Sequence, residues 1–443
     1  MLRFNIPKDN INERKYIISV LLDFLGLKYE ISFSNVSSYQ LLLENGNEII
    51  FEDHFFSKHP KPLSYLHDAN IPQSVSFVKN DFIPENDIPV IYGNDKLEVS
   101  ENKIICGIDI FASSFFMLSR WEEYVNRKRD AHDRFPFEES LAYRNGFLQR
   151  PVVNEYVEML WNMLVHLGIK EKRKSRKLNL LLSHDVDVAL KYYSLRNGAK
   201  ELAADLFKKK SLKSFFYHLS NKIKTHLTLR KDDYDTYDFL MSFSEKTGVK
   251  SYFFFMTGGK NSYDAKYRLN DKRIKDIVAR IQGRGHNIGL HPSYDAYKNL
   301  ELLSKEKDIL EQYVGKVTCG RNHFLRFEVP YAWQIWNDSG MEWDSTMGYA
   351  GKNGFRCGVC FEYNVFNVLT REKLNLKEKP LIIMDTTYWV YVNKSEDEIE
   401  KDLKSLISAT AKYNGECVVL WHNSNIEQHK VWDVFVKVLA EVV

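Results

Sequence analysis

From residue 178 onward the chain repeats one pattern: a short apolar run, a polar end, then a stretch of helical period. The apolar runs fall at 178–183, 250–256, 287–290, 323–327, 341–345, 381–384 and 416–421. Helical stretches fall between most of them, at 237–247, 272–282, 302–313, 332–339 and 396–413. Strands alternating with helices predict βαβ units, and therefore a parallel sheet with helices outside it. Seven runs in this order suit a closed or nearly closed β/α barrel. An open doubly wound sheet is the competitor, but no glycine fingerprint for a dinucleotide is found.

The first ~170 residues lack this alternation. They hold short strand-like runs, such as 39–43 and 48–51, and two helical stretches, 110–126 and 153–167. Phe115, Phe116, Leu118, Trp121 and Tyr124 form an apolar stripe on the first. The charged segment 171–177 (EKRKSRK) reads as a linker, which predicts an N-terminal α+β domain over 1–172 and a barrel over 173–443. Between Arg196 and Lys231 there are ten Lys/Arg against two acids, around Phe215, Phe216 and Tyr217. This reads as a basic helical insertion at about 191–235. It is either a solvated surface or a peripheral contact with anionic membrane lipid.

A formal net charge of +3 is too small to argue for nucleic acid. No leader-like start is seen, and no apolar run approaches the ~20 residues of a membrane span, so a cytoplasmic protein is expected. The five cysteines are odd in number and scattered, and the single C-x-x-C, Cys357 and Cys360, has no second pair, so all five are expected to be reduced. Aromatic residues make up 14% of the chain, which serves large cores first and sugar-stacking surfaces second.

Polar residues cluster where the apolar runs end. Asp185 and Asp187 close the first run; two apart in an extended chain, they share a face, and two close carboxylates repel unless a cation or proton lies between them. His291 ends the third run, and Asp295 lies four residues on, the spacing of one helical turn. Asp187, His291 and Asp295 form a candidate three-ligand metal set with open positions for water. His422 follows the last run, placed to protonate a leaving group, and Asp385 ends the run before it, either partnering a histidine or capping a helix. Arg326 can orient a catalytic carboxylate by a forked hydrogen bond.

These stations together resemble the polysaccharide deacetylases of carbohydrate esterase family 4, over about residues 178 to 443. Asp185 and Asp187 match the family's first motif, 285–291 the second, 326–331 the third, 344–346 the fourth, and Leu420-Trp421-His422 a shortened fifth. The resemblance implies a distorted seven-stranded (β/α) barrel, with Asp185 as general base and Asp187 as metal ligand. It also implies a divalent metal, zinc first, with cobalt, manganese or nickel as alternatives. Tyr331, Asp344, Asp385 and Trp389 complete the set as substrate-binding positions. Two departures stand out: Val186 separates the aspartates, and Asp295 stands where the family usually has a second histidine. The segments 109–116 and 120–124 resemble a domain found ahead of bacterial deacetylase-like domains, expected to act as a scaffold.

The expected activity is metal-dependent removal of N- or O-acetyl groups from a carbohydrate. The substrate would be an amino sugar in a polysaccharide, oligosaccharide or lipid-linked precursor of bacterial surface polysaccharide. Three rivals are a catalytically silent carbohydrate-binding or scaffold protein, a metal-free amide hydrolase, and a glycosidase using Asp185 and Asp385.

Overall fold

The computed structural model describes residues 1–193, 220–225, 230–392, 394–426 and 431–442. Most of the basic stretch 196–231, read as either a solvated surface or a membrane contact, lies outside the described residues. No helix among the described residues is long and apolar enough to cross a membrane. All five cysteines are buried and unpaired.

The N-terminal region is built on a six-stranded mixed sheet. It contains β1 (Leu2–Pro7), β2 (Tyr29–Ser34), β3 (Ser38–Leu42), β4 (Glu48–Glu52), β7 (Gly93–Val99) and β8 (Lys103–Ile108), in the order β2-β1-β3-β4-β8-β7. A small hairpin, β5 (Ser76–Val78) with β6 (Ile88–Val90), lies apart from it. Helix α1 (Ile11–Leu25), not anticipated from the sequence, packs with α2 (Ile110–Ser119). Every residue of α2 is buried, as suits a helix apolar all round, and Asp109 caps it by accepting from the Ala112 N–H. The helix expected over 110–126 breaks at Arg120, whose φ of 51° is left-handed, and resumes as α3 (Trp121–Val125). Two further helices, α4 (Leu141–Arg144) and α5 (Val152–His166), complete the region.

From residue 179 the described chain alternates as expected. The elements are β9 (Asn179–Val186), α6 (Tyr237–Lys246), β10 (Tyr252–Phe255), α7 (Lys272–Gly283), β11 (Asn287–Leu290), α8 (Leu300–Val314), β12 (Cys319–Gly320), α9 (Tyr331–Asp338) and β13 (Trp343–Asp344). A hairpin follows, β14 (Tyr363–Asn367) with β15 (Glu372–Glu378), then β16 (Ile383–Met384), α10 (Glu396–Lys412), β17 (Glu416–Leu420) and α11 (Val431–Val442). The strands form one nine-stranded sheet in the order β14-β15-β13-β12-β11-β10-β9-β17-β16, parallel throughout except for β14. The chain from β15 into β16 bridges both ends: the Lys379 N–H donates to Asp344 O and the Ile382 N–H to Val418 O. The expected seven-stranded barrel is thus seen only in its coarser form, a mixed α/β unit around a mostly parallel sheet.

Two local expectations are corrected. The run 323–327 is not a strand. Residues His323–Leu325 make a tight turn, and the strand is β12, just before it. Gly320 is required there, because a Cβ would lie 1.9 Å from the Leu290 carbonyl oxygen. The edge hairpin β14–β15 was not expected, because its alternation is too polar to stand out as an apolar run.

One continuous apolar core runs through both regions. Phe24 stacks on Phe361 at 4.2 Å, and the Tyr16 hydroxyl donates to Asn364 O at 2.9 Å. A buried ion network ties them more specifically. Glu123 accepts from Arg120 Nε and Arg356 Nε, both at 2.9 Å, while Arg120 also reaches Glu122 and Tyr349 at 3.2 Å. The Arg120-Trp121-Glu122-Glu123 segment therefore docks the N-terminal region onto the loop around 348–356.

Candidate active site

In a parallel sheet every strand points the same way, so all the strand C-termini meet at one rim. Ser183, Asp185 and Asp187 alternate along β9 and just beyond it, on one face. His291 follows β11, Arg321, Asn322 and His323 follow β12, Asp385 follows β16, and His422 lies two residues past β17. Side chains up to 237 positions apart thereby converge. They line a cleft of about 210 Å³ that includes Asp185, Asp187, His291, His323 and His422.

Three of these side chains form a tight cluster. Oδ1 of Asp187 lies 3.2 Å from His291 Nε2 and 3.4 Å from His323 Nδ1, and the two ring nitrogens are 3.0 Å apart. The partners on the far side of each ring fix the tautomers. His291 Nδ1 lies 2.6 Å from Arg321 O, and His323 Nε2 lies 3.1 Å from Tyr263 O. A carbonyl oxygen only accepts, so both of those nitrogens carry hydrogen. The lone pairs of His291 Nε2 and His323 Nδ1 then face each other and Asp187 Oδ1, a buried oxygen with no hydrogen-bond donor. Three acceptor atoms within 4.8 Å of one another require a proton or a cation between them. Imidazole and carboxylate donors with open positions suit a divalent metal.

Two charged pairs flank the cluster. Arg321, fully buried, donates from Nη1 to Asp185 Oδ1 at 2.9 Å and from Nη2 to Ser183 Oγ at 2.9 Å and Ser345 Oγ at 3.0 Å. The other Asp185 oxygen turns toward the cluster, 3.8 Å from His291 Nε2. On the opposite side, His422 Nδ1 lies 2.7 Å from Asp385 Oδ1, and its Nε2 reaches within 3.5 Å of Asp187 Oδ2. Burial alone would lower the pKa of His422, but the Asp385 carboxylate, followed by Asp187 and Asp185, outweighs it and pushes the ring up to about 10. Asp385 is itself fixed by the His422 and Asn425 N–H groups at 2.8 Å.

The structure therefore brings together Asp185, Asp187, His291, Asp385 and His422, and places the other expected residues elsewhere. Asp295 is not part of the three-residue cluster. Its side chain is 62% exposed and lies 3.7 Å from Arg326. The four-residue spacing would face His291 only on a helix, and the backbone from His291 through Pro292 to Ser293 is not helical. His323 takes that third place. Arg326 does not reach Asp185; it lies between the rings of Tyr294 and Tyr297, 3.9 and 4.0 Å from their centroids, and donates to His132 O. Arg321 orients Asp185 instead. Tyr331 opens α9 as a 45% exposed side chain outside the cleft lining. Asp344 is fully buried and accepts from Thr346; burial pushes its carboxyl up to about 6 against the lowering hydrogen bonds with Thr346 and Glu378, while burial first, then Asp344, pushes Glu378 up. Trp389 is half-buried with its ring 6.3 Å from Trp421, while its neighbours Val390 and Tyr391 line the cleft. The sequence signal for Arg321 and His323 was the polar triplet directly after Cys319-Gly320.

Comparison with known proteins adds the following. Residues 2–168 match a family of unknown function, DUF7033. No curated protein matches the chain. Among solved structures, a candidate polysaccharide deacetylase from Mycobacterium smegmatis is 14% identical, with a TM-score of 0.40 over 61% of this chain and 85% of that one. A polysaccharide deacetylase from Bacillus cereus is 14% identical, with a TM-score of 0.29 over 59% of this chain and 87% of its own. A mutant of a carbohydrate esterase family 4 pseudoenzyme with restored activity is 11% identical, with a TM-score of 0.29 over 60% and 64%.

Proposed function

We propose that the chain is a divalent-metal hydrolase that removes acetyl groups from a carbohydrate, an N-acetylated amino sugar first. The observation that carries this reading is the convergence of Asp187 Oδ1, His291 Nε2 and His323 Nδ1 as three acceptors with no donor among them. These residues would hold the metal, which supplies Lewis acidity toward an acyl carbonyl.

The chain's own residues supply the proton transfers. Arg321 occupies one oxygen of Asp185 and leaves the other facing the cluster, so Asp185 takes a proton from the attacking water. The water oxygen bonds to the acyl carbon, the bond from that carbon to the sugar nitrogen or oxygen breaks, and acetate forms. His422, held protonated by Asp385, gives its Nε2 proton to the departing amine or alkoxide. A base and an acid on opposite sides of one cation site are what acyl transfer needs, and they favour this reading over a silent scaffold. Acetate release from acetylated aminosugar oligomers, with zinc added, tests it. Asp185→Asn should lower the rate by at least ~10²-fold, the usual worth of general-base help. Parent-like acetate release by that variant, or full activity after chelation, overturns the proposal.

A further inference from the structure

The cleft is not built from the parallel-sheet unit alone. One lining residue, Arg134, comes from the N-terminal region, where residues 130–134 form a tight turn against the rim. Asp130 Oδ1 accepts the N–H groups of His132 and Arg134 at 2.8 and 3.0 Å, and Asp130 Oδ2 accepts from Arg134 Nε at 2.7 Å. This turn grips the segment after β12. Arg134 Nη1 donates to Phe324 O at 3.1 Å, and Arg326 Nε donates to His132 O at 2.9 Å. Phe324 is next to His323 and, like Leu325, has left-handed backbone, with φ of 60° and 53°. Two such non-glycine residues in succession cost on the order of 1 kcal/mol each and persist only where surroundings hold them.

Arg134 does more than hold that turn. Nη1 also donates to the Tyr391 hydroxyl at 3.2 Å, so its two acceptors there are neutral. Asp130 is its one ion-pair partner among the described residues, and Nη2 makes no hydrogen bond to them. Arg134 lines the cleft beside the three-acceptor cluster. With Leu325, Ala350 and Tyr391 it also lines a second cavity of about 180 Å³, walled by Phe135 to Glu138. A guanidinium therefore stands at the junction of two cavities, with its Nη2 hydrogens unused.

We infer that Arg134 is a specificity-determining residue that binds an oxyanion, a carboxylate or a phosphate, carried by the acetylated substrate next to the reacting group. A guanidinium with one free nitrogen, Nη2, in a partly desolvated cleft gives a charge-assisted hydrogen bond, roughly twice as strong as a neutral one. The inference rests on the reading of this cleft as the reacting site. It also gives the N-terminal region a working part in the cleft.

The test uses the full chain with zinc, carrying Asp185→Asn so that bound sugars are not turned over. Binding of N-acetylglucosamine, N-acetylglucosamine 1-phosphate and N-acetylmuramic acid is measured by calorimetry. At least one anionic sugar should bind ~10-fold or more tightly than the neutral one. Adding Arg134→Gln should abolish that preference, and Arg134→Lys should keep part of it. A purely structural role for Arg134 would weaken all three sugars alike, and that result overturns the inference. So does equal binding of the three by the parent, or no binding of either anion. Acetate release by the chain with Asp185 intact is scored separately. Arg134-dependent binding without acetate would sink the deacetylase reading and leave this one standing, while acetate release with no charge preference would do the reverse.

Discussion

Asp187→Asn is the most direct perturbation of the proposed cation site. It keeps the shape of the side chain but removes the anionic atom that faces both His291 Nε2 and His323 Nδ1. In the parent, zinc at 100 times its dissociation constant should stabilise the fold by about 2.7 kcal/mol, because it binds the folded state only. At an unfolding entropy of about 2.1 cal/mol/K per residue, each kcal/mol moves the thermal midpoint of the 443-residue chain by about 1 °C, which gives a shift of roughly 3 °C by scanning calorimetry. Asp187→Asn should lose that shift, and its traces with zinc and with chelator should superimpose. The affinity should also depend on pH in a defined direction. Without a cation, burial lowers the pKa of His291, but Asp185 and Asp187 outweigh it and hold it above its ordinary value. Protons and a cation then compete for the gap between the two imidazoles. Zinc affinity should fall as pH drops, by up to ~10-fold per unit, and uptake should release a proton measurable in buffers of different ionisation enthalpy. Identical melting of zinc-loaded and chelated parent, or zinc affinity flat from pH 5 to 8, would refute the assignment.

Three further outcomes are expected. Asp385→Asn removes the carboxylate that keeps His422 protonated, so the alkaline limb of the kcat–pH profile should move to lower pH and the rate should drop ~10²-fold; an unmoved limb contradicts the acid role. His184 is buried, its Nδ1 donating to Trp421 O at 2.7 Å, and burial lowers its pKa from 6.5 to about 4. The unfolded chain therefore takes up this proton first as pH falls. The stability is complete above about pH 6.5 and is lost between there and pH 4, by roughly 3 kcal/mol; urea titrations of the parent and His184→Gln across that window should differ in slope. Arg356→Met strips one partner from fully buried Glu123, and urea unfolding should show a loss of about 3–5 kcal/mol.

How much of this was legible in the sequence follows from which physical rule governs each residue. Asp185, Asp187, His291, Asp385 and His422 end apolar runs, and parallel strands send such ends to one rim, so their shared rim could be anticipated without knowing any contact. Arg321 and His323 were missed because β12 is two residues long, too short for periodicity to register, so the strand end was placed after the turn instead of before it. The helical spacing of Asp295 from His291 does not bring the two together, because the chain through Pro292 is not helical. In the N-terminal region α1 escaped notice because the helix is buried on nearly every face and so lacks the polar stripe that marks an amphipathic one.

Arg134 shows a different kind of limit. It lies 157 residues or more from every rim histidine and belongs to no run, motif or period. Its place in the cleft is decided by how the two regions dock, through the Arg120–Glu123–Arg356 network and the shared apolar core. The same docking supports the left-handed pair Phe324–Leu325, which aims His323 at Asp187. A candidate ligand, its strained support and a candidate specificity residue thus depend on one interface. The physical consequence is that the parallel-sheet unit expressed alone from about residue 173 should expose the apolar face that α1 and α2 cover. It should also lose the hold on His323, binding zinc more weakly than the full chain even where its strands still form.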